Sequence, residues 1–219
     1  MDEEDAPRQL IVEGQDDRQA VVELMRHHID AWPKIGKEGA PVIIKLGGGA
    51  NGILSNKYLQ VTLKTACLQI LGVILDADGG IKAEDRYASF RDQCKGMFPD
   101  LPKSLPKDGL IANNGEKALG LWVMPDNLSD GCLETFLRTF VPEPAKPLWT
   151  YAESYCAESK KFGAPYRDHH VDKANVYSFL ALQDPPGQSP GNAISRKVLD
   201  PGSPSAEPFL KWFRKLYGI

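Results

Sequence analysis

A chain of 219 residues, 42 % hydrophobic and 25 % charged, has the composition of a globular protein and is long enough to bury a core without disulfide or metal staples. Its net charge of −3 excludes a global positive field, so any attraction to nucleic acid must come from local basic patches, bound metal or a partner. Cys67, Cys94, Cys132 and Cys156 form no C-x-x-C pair and no H-E-x-x-H occurs, which argues against zinc; with no signal peptide and no apolar run of membrane-span length, a reducing cytoplasm is expected.

The acidic run 2–5 reads as a solvated tail. Residues 9–12, QLIV, form the first predicted strand, which ends in Glu13-Gly14. A helix is expected over 17–29, with Asp16 as its N-cap and Val21, Val22, Leu24 and Met25 on the apolar side. Glu13 and Asp17 are placed so that both can face a cleft across the strand–helix turn; capping and solvation is the plainer alternative. The second strand, 42–46, runs into Gly47-Gly48-Gly49-Ala50-Asn51-Gly52, with a helix expected over 55–69. Gly47, Gly49 and Gly52 match G-x-G-x-x-G, and Asp76 ends the next strand 24 residues past Gly52, roughly what a dinucleotide site requires. Against that reading, the glycines follow the second strand instead of the first, and the usual later strands do not follow. The loop could otherwise hold a phosphate on its amides or simply connect two elements.

The central strand is Val73-Ile74-Leu75, an unbroken apolar run suited to a sheet covered on both faces, and it ends in Asp76-Ala77-Asp78. In open α/β sheets ligands bind beyond the carboxyl ends of the strands, and two carboxylates there make a hard-oxygen site for Mg²⁺ or Mn²⁺. A turn at Asp78-Gly79 with Asp76 as a capping acid is the alternative. A helix over 84–98 carrying Arg86 and Arg91, a proline-rich loop over 99–109, a short strand at 110–112 and another at 119–124 follow. The last runs into Asp126, and a helix over 129–140 is expected with Ser129 as N-cap and Glu134 near its first turn. Beyond 142 strand patterns stop: helices are expected over 148–162, 173–183 and 207–217, the last with Phe209, Trp212, Phe213 and Leu216 at helical spacing. The expected division is an α/β core, 1–141, and a helical extension packed on it, 142–219.

Two motifs fail on context. Gly187-Gln188-Ser189-Pro190-Gly191 matches G-x-S-x-G, but prolines flank it where a nucleophile elbow needs a strand before the serine and a helix directly after. The pairs His27-His28 and His169-His170 read as solvated, although the second, near Lys173, could contact phosphate. Lys160-Lys161, Arg196-Lys197 and Lys211-Arg214-Lys215 read as basic surface.

Three strand ends thus carry acids: Glu13, the Asp76/Asp78 pair, and Asp126 or Glu134. In this the sequence resembles the Toprim domain, which has a glutamate after its first strand and Asp-x-Asp after its third. It is similar also to the Toprim nucleases of the OLD (overcoming lysogenization defect) group, whose E-G-x-x-D motif fits Glu13-Gly14-Gln15-Asp16-Asp17. Through Met124-Pro125-Asp126-Asn127, Lys173-Ala174-Asn175 and residues 183–187 the whole chain resembles a family of small stand-alone Toprim-like prokaryotic proteins, DUF3226. The resemblance implies an α/β fold with a mostly parallel sheet flanked by helices. It implies Mg²⁺- or Mn²⁺-dependent phosphodiester hydrolysis on DNA or RNA, with Glu13, Asp17, Asp76, Asp78, Ser129 and Glu134 as metal ligands. Glu13, Asp76, Asp78 and Lys173 would carry the chemistry. No G-x-x-x-x-G-K-[ST] occurs, so an ATPase would come from another polypeptide. The alternatives are a non-catalytic binding or regulatory subunit beside such an ATPase, and a dinucleotide-binding protein.

Overall fold

The protein was analysed as a computed structural model that describes residues 6–30, 32–33, 39–55, 57–78 and 80–219; the acidic run 2–5 and Gly79 lie outside the described residues. In chain order the elements are β1 (Arg8–Val12), α1 (Gln15–His28), β2 (Ile43–Leu46), α2 (Gly49–Leu54), α3 (Tyr58–Leu63), β3 (Ile70–Asp76), α4 (Ala83–Cys94), β4 (Leu110–Asn113), β5 (Ala118–Met124), α5 (Leu133–Arg138), α6 (Lys146–Ser159), α7 (Val171–Ala181), α8 (Pro190–Ser195) and α9 (Glu207–Tyr217). The fold is α/β. One five-stranded sheet has the order β2-β1-β3-β5-β4, parallel except for the edge strand β4, which pairs antiparallel with β5. No helix among the described residues is long and apolar enough to cross a membrane.

The strands alternate between two cores, as side chains on a pleated strand must. Leu10, Val12, Ile74, Trp122 and Met124 face α1 and α5 to α9. Ile11, Val73, Leu75, Leu121 and Val123 face α2, α3 and α4. Both faces are therefore covered, which is why the central strands read as continuous apolar runs. Because β1, β3 and β5 run parallel, their carboxyl ends open on one edge.

Several expected boundaries are corrected. The helix over 55–69 is two short helices, because the chain leaves α2 extended at Ser55 and starts α3 from a left-handed Lys57 (φ 60°). The helix over 129–140 is only Leu133–Arg138: Asp126 holds 128–129 in a turn, accepting from the Leu128 and Ser129 amides and from Ser129 Oγ (3.0, 2.7 and 2.9 Å). Ser129 is thus not an N-cap. Nor is Asp16, since Gly14 is the N-cap of α1 and Asp16 lies in its first turn. Helix α4 stops at Cys94. Ser189 caps α8 through the Asn192 amide, with Pro190 at the first helical position, and so ends a loop in place of a nucleophile elbow.

Helix α9 lies close over β3 and β5 because Gly72 and Gly120, register partners on those strands, present no side chain to it. A Cβ on Gly72 would fall 2.3 Å from the Tyr217 hydroxyl oxygen, and one on Gly120 2.4 Å from Leu216 Cδ2. The helix is then pinned by Tyr217 Oη donating to the Gln9 carbonyl (2.7 Å) and Trp212 Nε1 donating to the Leu110 carbonyl (2.9 Å). Gly72→Ala should destabilise by about 1–3 kcal/mol through overpacking. In a Tyr217→Phe background, where the obstructing hydroxyl is gone, it should cost clearly less. Thermal melts of the two single variants and the double variant measure this, and strictly additive losses would refute the contact.

Candidate metal centre

The parallel strand ends gather the acids, and the backbone determines how each is held. Glu13 follows β1 beside the end of β3, and both its carboxylate oxygens accept backbone N–H groups. Oε1 takes the Asp76 amide at 2.7 Å and Oε2 the Ala50 amide at 2.9 Å. The glycine loop supplies the second of these, and Gly49 N–H also donates to the Glu13 carbonyl (3.0 Å). Gly48 and Gly49 have φ of 75° and 82°, which glycine adopts without strain. Gly47 and Gly52 are so close that a Cβ on Gly52 would sit 2.3 Å from the Gly47 carbonyl oxygen. The loop that matches a dinucleotide fingerprint thus turns its amides on Glu13.

Asp17, at the third position of α1, accepts the Gly14 amide through Oδ2 at 3.0 Å. Its other oxygen, Oδ1, is buried without a hydrogen-bond partner. Asp76 Oδ1 accepts the amide of Leu133, the first residue of α5, at 3.0 Å, so a strand-end acid caps a helix from the next βα unit. That places Glu134 in the group. It is buried, with Cys132 Sγ donating to Oε2 (3.1 Å) and Lys173 Nζ, from α7, 3.5 Å from Oε1.

The two remaining expected ligands are bound to other partners, although the Asp78 charge still helps to raise Glu13 and Asp76. Asp78 leaves the sheet edge in a left-handed conformation (φ 61°) and pairs with Arg86 on α4 at 2.5 Å; Arg86 Nε also donates to the Asp76 carbonyl at 3.0 Å. Ser129 is exposed, its hydroxyl committed to Asp126. Sequence reasoning placed Arg86 on a helix and Asp16 at a helix N-cap without assigning either to the site, weighed Cys132 only as a zinc ligand, and passed over Tyr177. Tyr177 lies one helical turn beyond Lys173, a spacing that puts both on one face of α7, and it donates to Asp16 across the fold. Thr135 Oγ1 similarly donates to Asp172 (2.5 Å), joining α5 to the start of α7.

Charge in this group is out of balance. Burial raises the Glu13 carboxyl, with the Asp76 and Ala50 amides acting against the rise. Burial, then the negative charges of Glu13 and Glu134, pushes Asp17 up to about 7. Asp76 is held well above the carboxylate range by burial and then by Asp17, Glu13 and Glu134, even though part of its surface remains exposed. The Cys132 thiol is pushed up to about 12 by burial and by Glu134 and Asp76. Burial lowers the Lys173 ammonium less than Glu134 and Asp16 raise it, so it stays charged. Among the described residues no three His, Cys, Asp or Glu side chains form a ready metal cage. Asp17 Oδ1 has no partner, Asp76 Oδ1 is taken by the Leu133 amide, and both Glu134 oxygens are contacted, by Cys132 and Lys173.

The sheet and its edge define an α/β protein with a buried acid cluster beyond the carboxyl ends of its strands. The chain belongs to the family described as "Protein of unknown function (DUF3226)", which matches residues 7–218. No match was found among curated proteins or among solved structures.

Asp17 keeps its proton in the folded state up to about pH 7. Unfolded, it loses it near the ordinary aspartate value of about 3.9. Between those values the folded state binds more protons, so stability falls as the pH rises through that window. Without added metal, the melting temperature should therefore fall between pH 5 and pH 8. Asp17→Asn should flatten that fall and raise stability at pH 8. An unchanged pH profile in the variant would remove Asp17 from the cluster.

Proposed function

We propose that this chain is a Toprim-type, Mg²⁺- or Mn²⁺-dependent phosphodiesterase acting on nucleic acid. The carrying observation is Asp17 Oδ1, a buried carboxylate oxygen with no hydrogen-bond partner, in the field of Glu13, Asp76 and Glu134. Buried unpaired oxygen and uncompensated negative charge are each costly, and a hard divalent cation relieves both. Asp17, Asp76 and Glu134 would hold the ion, with Glu13 fixing the position of Asp76 from behind. Asp78 and Ser129, bound to Arg86 and Asp126, fall outside this set.

When bound, a divalent cation lowers the pKa of a coordinated water and offsets charge developing on a phosphate. The chain's own residues prepare the rest. Glu13 is locked by two amides, so Asp76 is presented from a rigid strand end. Lys173, more than half exposed, stands against Glu134 where an entering phosphate would meet it. Arg86 is buried against Asp78 and the Asp76 carbonyl and so braces the strand end. Lys173 would bind and orient the phosphodiester.

The second reading is a non-catalytic binding or regulatory subunit that acts beside an ATPase. It is favoured by the engagement of both Glu13 oxygens with backbone amides and of Glu134 with Lys173, which leaves fewer oxygens open than a nuclease cluster would use.

Plasmid and single-stranded substrates incubated with Mg²⁺ or Mn²⁺ separate the two. Cleavage by the wild type should fall in Asp17→Asn and Asp76→Asn by more than the roughly 10–100-fold that loss of an outer-shell partner costs. Both substitutions preserve the oxygen that accepts a backbone amide, so folding should survive. Cation at a hundredfold excess over its Kd should add about 2.7 kcal/mol, or on the order of 5–10 °C in Tm, to the wild type and much less to Asp17→Asn. A metal response without cleavage would transfer the assignment to the binding subunit, and cleavage surviving in both variants would overturn the site.

A further inference from the structure

Helices α6 and α7 form a hairpin whose tip, residues 160–170, carries Phe162 with 83 % of its surface exposed. Farther down α6, Tyr151 and Tyr155, one helical turn apart, are also exposed, at 63 % and 60 %. The opposite face of α6 is buried in the ordinary way through Trp149, Ala152 and Cys156, with the Trp149 ring against Phe179 of α7. The exposed rings are therefore not core residues displaced by a missing neighbour within the hairpin.

Over 151–173 the charges balance, with Glu153 and Glu158 among the tyrosines, but the tip itself carries cations to spare. Between 160 and 173 the cations are Lys160, Lys161, Arg167 and Lys173, and the anions are Asp168 and Asp172. Asp168 is paired with Lys160 at 3.3 Å, and Asp172 accepts the Thr135 hydroxyl. Lys161 and Arg167 are exposed and make no ion pair with the described residues, and His169 and His170 stand exposed beside them. A protein-docking face needs only the apolar rings. Rings interleaved with unpaired cations are what an anionic polymer with stacking bases requires. The tip also leads directly into the candidate site, since the 3₁₀ turn at Asp168–His170 runs into α7, whose Lys173 is 3.5 Å from Glu134.

We infer that the α6–α7 hairpin tip is a docking surface for single-stranded nucleic acid, with a base stacked on Phe162 and the backbone held by Lys161 and Arg167, which feeds the strand toward Lys173. The inference rests on the reading of the acid cluster as a phosphodiesterase, and it adds the substrate class: unpaired strands, because a duplex keeps its base faces covered. The Phe162 ring recognises a base face and so tolerates sequence, and the cations recognise phosphate, so DNA and RNA are both accommodated.

The test is fluorescence anisotropy of a labelled oligonucleotide, single-stranded or annealed, with the full chain in EDTA so that no cleavage intervenes. The wild type should bind the single strand in preference to the duplex, with affinity falling as salt rises. Phe162→Ala should weaken single-strand binding about 5- to 150-fold, the range for removing one stacking partner. Lys161→Ala and Arg167→Ala should each reduce the salt dependence by about one counterion. All three positions are exposed, so melting curves should match the wild type. Equal affinity for duplex and single strand, or unchanged affinity in Phe162→Ala, would overturn the proposal. So would sedimentation showing a dimer that Phe162→Ala dissociates, which would assign the face to a second copy. A parallel cleavage assay of the wild type in Mg²⁺ or Mn²⁺ separates the two readings. Single-strand binding by the wild type without any metal-dependent cleavage refutes the phosphodiesterase alone, and cleavage without strand preference refutes the docking surface alone.

Discussion

The Glu13 carboxylate lies between the amide of Asp76 at the end of β3 and the amide of Ala50 in the first turn of α2. Hydrogen bonds to an ionised acceptor are about twice as strong as neutral ones. Since β1 lies between β2 and β3, this one side chain ties the ends of three neighbouring strands to a common level. The consequence travels onward. Asp76, fixed in place, caps α5 through Leu133; α5 then delivers Glu134 to Lys173 and Thr135 to Asp172, both on α7. A substitution at Glu13 would therefore disturb more than a candidate ligand. Glutamine there would aim an amide N–H at one of two backbone N–H groups, and that buried clash costs more than the charge it removes.

The opposite side of the molecule solves a different problem. The helices after β5 have to cover a sheet face that α1 alone cannot, and the last of them, α9, does so by lying where two strands have given up their side chains. Paired glycines weaken strands, yet here they sit in the two most central partners, β3 and β5, where seven consecutive register pairs offset the loss. The Tyr217 hydroxyl then reaches the Gln9 carbonyl on β1, so the helix spans the strands that present Glu13 and Asp76 at their far ends. Packing on this face fixes the platform on which the acids stand.

Strands and acids were legible in the sequence because both are local: an apolar run of β-branched residues states its own burial, and an acid directly after it inherits its place from the strand. The C-terminal helix was legible for the same reason, its apolar residues recurring at 3.6-residue spacing on the bounds observed, Glu207–Tyr217. What failed depended on contacts far along the chain. The start of α5 is set by Asp76, 57 residues away, so Ser129 looked like a cap when the true partner lay on another strand. The role of the glycine loop depended on Glu13, which belongs to a different βα unit. Asp78 shared a motif with Asp76, but its left-handed backbone and Arg86 direct it elsewhere, and neither is visible from Asp-x-Asp spacing. Asp78 therefore acts on Glu13 and Asp76 through its charge while its carboxylate is held by Arg86.

The distribution of charge gives the cluster a direction. Asp17 and Glu134 are buried, and the cations that touch the group, Arg86 and Lys173, come from α4 and α7 at either side of it. Each cation is already committed to an acid, so neither neutralises Asp17, whose Oδ1 has no partner. Lys173 is exposed and attracts a phosphate at the edge, while the acids beside it repel one at the centre once Asp17 has lost its proton, above about pH 7. A divalent ion seated among the oxygens would reverse the sign at the centre alone. Under the phosphodiesterase reading, that makes ion binding the step that admits the substrate, because the same carboxylates that require a cation are the ones that would otherwise keep a phosphodiester out.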